Sequence, residues 1–240
     1  LIWKDFSEQI TKERVIKSDS EVKKIEEAIS ISDRAFNKVS KKIKEGMTEE
    51  EIAWEMEKEM RVLGAESISF DTIVASGING AKPHHSPTDK KVSNGEAITI
   101  DMGAKFNGYC SDLTRTIFIG EPDEKFKKIY NIVLRSQLIS IETAKEGMTG
   151  EDIDRISRDI ISEEGYGENF GHSLGHGVGL EVHENPGVGP NSKNEIIPGM
   201  IYTIEPGIYI NGWGGIRIED MVLMTDNGNK LLSHAEKGSY

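Results

Sequence analysis

The nonapeptide KEGMTEEEI at Lys44–Ile52 returns as KEGMTGEDI at Lys145–Ile153, 101 residues later. Each copy joins a helix stop to a helix start. Gly46 and Gly147 follow apolar helical stretches, and Thr48-x-x-Glu51 and Thr149-x-x-Asp152 then open new helices with a capping hydroxyl and its reciprocal acid. A second match lies downstream of each copy, GEAITIDMG at Gly95–Gly103 and GMIYTIEPG at Gly199–Gly207, 104 residues apart. Two matches in one order and nearly one register imply an internal duplication. The order helix, helix, strands therefore occurs twice. It predicts an α+β fold of two similar halves, about residues 18–120 and 121–235, related by a pseudo-twofold axis.

Outward from the repeats, Ser18-x-x-Glu21 caps a first helix. Its apolar face, Val22, Ile25, Ile29, Phe36, Val39 and Ile43, recurs at helical spacing as far as Gly46. The second helix turns Ile52, Met56, Met60 and Leu63 inward and ends at Gly64. Short β-prone runs follow at Ser69–Ser76, Ala97–Met102 and Thr114–Ile119, around a loop at Gly77–Pro87 rich in Gly, Asn and Pro. Pro122 begins a third helix, with Phe126, Ile129, Tyr130 and Val133 on one face, and strands return at Ile201–Ile204 and Ile216–Met224. Residues 1–17 fall outside the duplicated pattern and read as a linker or the remnant of a further N-terminal domain; residues 18–240 form the principal domain.

Composition excludes several classes. Of 240 residues, 36% are hydrophobic and 29% charged, as in a soluble globular protein. A net charge of −12 argues against nucleic acid as a partner, because phosphate binding needs a positive surface. No apolar run reaches the length of a membrane span, and the charged N-terminus LIWKDFSEQITKERVIK is not a signal peptide. The single cysteine, Cys110, excludes an internal disulfide and fits a reducing cytoplasm.

Superposing the repeats sets Asp101 on Glu205, and Asp112 then corresponds to Glu219. Asn107-Gly108 and Asn211–Gly215 are turn signals, so each pair of acids lies on two arms of a hairpin, roughly opposite each other, where cross-strand neighbours approach to about 5 Å. Four acids meeting at the axis in an apolar setting repel one another and lose hydration. Only Arg217 and Arg115 lie near in sequence, so divalent cations are the simpler compensation. Three of the six histidines, His172, His176 and His183, sit in the glycine-rich stretch NFGHSLGHGVGLEVHENP ending at Pro186. His176, between Gly175 and Gly177, is the candidate imidazole ligand, and an imidazole among carboxylates favours manganese, iron, cobalt or zinc over magnesium or calcium. Bridging carboxylates hold two metals about 3.5–4 Å apart, and a metal-bound water deprotonates near neutrality, which is hydrolytic chemistry.

The set Asp101, Asp112, His176, Glu205 and Glu219, with GHGVGLEVHE, TIEPG and GIRIED, resembles the pita-bread metallopeptidases, a family of methionine aminopeptidases, Xaa-Pro aminopeptidases, prolidases and metal-free creatinases. The resemblance spans about residues 14–235, and GIRIEDM is similar to the Xaa-Pro branch. It implies a catalytic pita-bread domain with two divalent ions, manganese or cobalt first and zinc or iron next, held by those five residues. It further implies Glu205 as proton carrier, His84 (directly after Pro83, with His85 as its rival) and His183 as catalytic histidines, and His172, Arg217 and Tyr209 at the substrate. The substrate implied is a peptide with proline in second position, the location cytoplasmic, and the full-length parent a homodimer, with neither nucleic acid nor membrane as partner. A methionine aminopeptidase and an inactive peptide-binding domain of the same fold are the competing expectations.

Overall fold

A computed structural model describes residues 6–240. Residues 1–5 of the expected linker lie outside the described residues. The next part is a helix, α1 (Ser7–Val15), followed by α2 (Asp19–Val39) and α3 (Glu49–Val62). Short strands β1 (Ser67–Ile68), β2 (Ile73–Ser76), β3 (Ala97–Met102), β4 (Ala104–Phe106), β5 (Tyr109–Cys110) and β6 (Leu113–Phe118) complete the first half. The second half runs α4 (Glu124–Thr143), α5 (Gly150–Glu163), β7 (Gly175–Gly177), β8 (Glu184–Val188), β9 (Ile201–Ile204), β10 (Gly207–Ile210), β11 (Gly214–Arg217), β12 (Asp220–Thr225) and β13 (Gly228–Leu231).

The duplication is visible in the hydrogen bonds. Strand order β2-β3-β6 in the first half matches β7-β9-β12 in the second, all antiparallel. Both KEGMT segments bond to the segment before the third-position strand in the same way. Gly46 N–H donates to Val92 O and Val92 N–H to Met47 O; Gly147 N–H donates to Ile196 O and Ile196 N–H to Met148 O. Both threonine capping boxes form. Each half has its own apolar core. One lies between α2, α3 and the β2-β3-β6 sheet, centred on Phe36, Met56, Ile98 and Ile100; the other lies between α4, α5 and the β9-β12 sheet, centred on Phe126, Tyr130, Ile153 and Tyr202.

Several boundaries differ from the periodicity. The first helix stops at Val39, and a 3₁₀ turn at Ser40–Lys42 leads into extended backbone at Ile43. Pairing of Gly46–Thr48 with Lys91–Val92 takes the chain out of the helix before the glycine. The third helix starts at Glu124, because Asp123 rather than Pro122 accepts the first free amide, Phe126 N–H, at 2.7 Å. The run Ser69–Ser76 yields only β2, and the run Ile216–Met224 breaks at Ile218-Glu219 between β11 and β12. There Glu219 N–H donates across to Thr114 O in the other half, so the strand leaves its own ladder at the site. No helix among the described residues is long and apolar enough to cross a membrane. Cys110 is buried, and burial pushes its thiol pKa up, as befits an unreactive packing residue.

Candidate metal centre and active-site cavity

The two hairpins explain why the acids converge. In the second half the ladder runs in one register through β9–β12 and β10–β11, pairing Ile204 with Asp220 and Gly207 with Arg217, so Glu205 and Glu219 face each other. In the first half Asp101 pairs with Thr114, and the register continues through Lys105 and Cys110, which sets Asp112 opposite Gly103. The aspartates are therefore diagonal neighbours, a correction to their expected opposition. Thr114 fills the position across from Asp101 and donates from Oγ1 to Glu219 Oε2 at 2.7 Å. The halves also meet where Thr116 accepts Arg217 N–H (3.1 Å) and donates to Arg217 O (3.0 Å).

The four acids and Arg217 open on one cavity of about 560 Å³, also lined by His172, His176 and His183, with His84 and the apolar Phe70, Ile73 and Pro83 at its wall. His176 Nε2 lies 3.3 Å from Glu205 Oε1 and 3.6 Å from Asp112 Oδ2, and Asp112, His176 and Glu219 offer donor atoms within 4.8 Å of one another. His176 Nδ1 lies 3.1 Å from Gly177 O, an acceptor only, so Nδ1 carries a proton and Nε2 is the atom presented to the carboxylates. The His183 ring is 4.1 Å from that of His176, centroid to centroid. Next to it, the buried Glu184 carboxylate is clamped by Arg14 and Lys17, which ties residues 14–17 to the second half.

The guanidinium of Arg217 donates to Asp101 Oδ2 (2.6 Å) and to Tyr209 OH (2.8 Å), and Tyr209 OH meets His172 Nε2 at 2.9 Å. His172 Nδ1 is 2.7 Å from Ser173 O. Nδ1–H must then donate to that carbonyl, so Tyr209 donates to Nε2 and accepts from Arg217. Arg217 thus meets Asp101 directly and Glu219 only through Thr114, whose Oγ1 accepts from its Nε. Arg115, the other nearby cation, is committed elsewhere, to Asp220 at 2.7 Å.

Four carboxylates consequently face one guanidinium. Burial pushes Asp112 and Glu219 well above the usual carboxylate range, reinforced by their acidic neighbours, and raises Asp101 in spite of Arg217. For Glu205, burial is outweighed by the hydrogen bond and charge of His176, holding it down at about 2. Burial lowers His172 and His183, the latter helped by His176, whereas His176 itself is raised because Glu205 outweighs burial. One oxygen each of Asp101 and Glu219 is buried without a partner. Orphaned anionic oxygens, an imidazole nitrogen aimed among them and a second nitrogen fixed by a backbone carbonyl are features that divalent ions satisfy.

His85 turns away from the cavity: its Nε2 lies 2.8 Å from Glu49 Oε2 in a buried pair. Thr114 and Glu49 were invisible to composition and periodicity. A signal existed for Glu49, since the two KEGMT copies differ there, Gly150 standing in its place.

The glycines beside His176 are close-approach positions. A Cβ on Gly175 would lie 2.0 Å from Thr203 O, in backbone that cannot yield like a side chain. Gly175→Ala should therefore cost about 1–3 kcal/mol of stability. Urea unfolding with an unchanged midpoint would show that β7 can move aside.

A model of metallopeptidase family M24 matches residues 23–226. The chain is 48% identical over 235 residues to a protein named Xaa-Pro dipeptidase from Pyrococcus horikoshii, covering 98% of this chain and 67% of that one. Among solved structures, it is similar to a prolidase from Pyrococcus furiosus (TM-score 0.96, 47% identity, 98% of this chain and 69% of the other). It is likewise similar to an Xaa-Pro dipeptidase from Bacillus anthracis (TM-score 0.94, 49% identity, 95% of this chain and 64% of the other). The chain thus spans 64–69% of the lengths of these relatives.

Proposed function

Because the chain belongs to metallopeptidase family M24, we propose that it carries the catalytic centre of an exopeptidase that hydrolyses the bond preceding a proline in second position. The observation supporting peptidase chemistry is the convergence of Asp101, Asp112, His176, Glu205 and Glu219 on one cavity that His84 and His183 also line. The proline preference is supported by the names of the relatives, Xaa-Pro dipeptidase and prolidase.

Those five residues would hold two divalent ions, and the mixed carboxylate–imidazole set suits manganese or cobalt, with zinc or iron as alternatives. When bound, such ions polarise a carbonyl and acidify water. The chain's own residues supply the rest. Glu205, ionised at neutral pH, is the form that accepts the proton of the attacking water and passes it to the leaving amine. His183, whose pKa is lowered by desolvation and by His176, would donate through its ring N–H to the oxygen on which charge develops, and so would His84, which lines the same cavity. The chain His172–Tyr209–Arg217–Asp101 locks Arg217, whose fixed guanidinium sets the Asp101 carboxylate. A proline in second position gives a tertiary amide with no N–H, so recognition must use its ring and carbonyls. Phe70, Ile73 and Pro83 offer the apolar wall for that ring.

The test is hydrolysis of Ala-Pro, Ala-Pro-Ala and Met-Ala-Ser by protein reloaded with manganese or cobalt. We expect cleavage of a proline substrate, abolished by chelator and restored by the metal. Cleavage of Met-Ala-Ser alone would replace this reading with a methionine aminopeptidase.

A further inference from the structure

His84 sits in a loop with little regular structure, yet the residues on both sides of it are pinned. Ahead of it, Pro83 O accepts from Arg217 Nη1 at 3.3 Å. Behind it, the His85 side chain reaches Glu49. Glu49 lies at the first turn of α3, fully buried, and its carboxylate accepts six hydrogen bonds, three on each oxygen. Oε1 takes Ser76 N–H (2.8 Å), Ser76 Oγ (2.7 Å) and Asn79 Nδ2 (3.0 Å). Oε2 takes His85 Nε2 (2.8 Å), Thr88 N–H (3.1 Å) and Thr88 Oγ1 (2.8 Å). One side chain therefore binds both the start and the end of the 76–88 loop, and the helix N-terminus favours its charge.

The duplicated half supplies a control. At the equivalent helix start stands Gly150, whose backbone bonds to the chain as Glu49 does, but a Cβ there would lie 2.2 Å from Gly187 O. The repeat fold thus forms without a carboxylate at this position. In the first half the position is instead filled by a buried acid bonded to the loop that carries His84.

We propose that Glu49, acting through His85, is a positioning residue that holds His84 at the cavity wall. The inference rests on the assignment of His84 to the reaction. Glu49→Gln keeps an acceptor for Ser76 and Asn79 but turns an amide NH₂ toward His85 and Thr88, so that Thr88 N–H loses its acceptor and His85 and the Thr88 hydroxyl must reverse their roles. Misplacing His84 by an ångström should lower kcat by about 10–100-fold, with KM within about threefold of wild type.

The experiment is a double-mutant cycle of Glu49→Gln and His84→Ala on the metal-loaded chain, with amide hydrogen exchange on the metal-free proteins. A positioning role predicts that Glu49→Gln costs less than about twofold once His84 is gone, since coupled residues are non-additive. Exchange should accelerate in residues 76–90 and stay slow in α2 and β3. Full multiplication of the two losses, or unchanged loop exchange, overturns the proposal and leaves Glu49 a structural residue. Full activity in His84→Ala alone overturns the role of His84 and with it that of Glu49, a failure the single variant identifies. If Glu49→Gln does not fold, His85→Leu takes its place in the cycle, and His85→Gln, which retains a donor, should restore kcat.

Discussion

Asp112→Asn should abolish the stabilisation that manganese or cobalt gives the protein while leaving the metal-free form at least as stable as wild type. Asp112 is buried among Asp101, Glu205 and Glu219, with the Arg217 guanidinium against Asp101, and its pKa is raised by burial and by those neighbours. In the metal-free protein its charge is a burden, so its removal relieves repulsion. In the metal-loaded protein the same charge would be a ligand under the proposed assignment. A bound ion stabilises the folded state by an amount set by its concentration over Kd, about 2.7 kcal/mol at a hundredfold excess. The wild-type melting temperature should therefore rise on metal addition and that of Asp112→Asn should not. Metal analysis should approach about two ions per wild-type chain, the number that bridging carboxylates hold, and the variant should lose at least one. Activity should fall by more than about 100-fold, the loss that outer partners of metal ligands alone can bring. Unchanged metal content in the variant would remove Asp112 from the site.

His84→Ala should give the complementary result, a steep fall in kcat with metal content intact. His84 lines the cavity on a wall outside the cluster of Asp112, His176 and Glu219, so no ligand is lost with it. A positioned proton donor contributes about 10²–10⁴-fold, and that is the range expected for the loss. Inductively coupled plasma analysis beside steady-state kinetics separates the two effects. His85→Ala should cost less, because His85 faces Glu49 and reaches the cavity only through its neighbour. If His85→Ala is the more damaging change and His84→Ala is silent, the histidine after Pro83 is not the reacting one.

What the sequence made legible follows from what duplication preserves. The repeats brought Glu205 and Glu219 into opposition because turn length and ladder register were both local. The same reasoning misplaced Asp101 and Asp112 by two positions, since the Asn107-Gly108 turn sets a register that puts Gly103 across from Asp112. Arg115 and Arg217 looked equivalent as compensating cations, but Asp220 claims the first. That pairing depends on strand crossings between halves, which no periodicity reports. Helix ends were legible where a side chain capped them, as at Thr48 and Thr149, and illegible at Val39, where a distant strand segment decided the exit. Thr114 and Glu49 act through contacts more than 25 residues away in sequence, in one case to a loop and in the other across the seam.

The seam between the halves also dictates when the centre can exist. Asp101 and Asp112 belong to the first half, whereas His176, Glu205 and Glu219 belong to the second. A ribosome adding roughly 5–20 residues per second would deliver Glu205 several seconds after Asp101. During that interval the nascent first half offers a metal two aspartates and no imidazole from the Gly175–Gly177 strand. Under the proposed assignment, capture of the ions would be deferred until the second half docks, so the cell's metal pool would meet a finished cage rather than a growing chain.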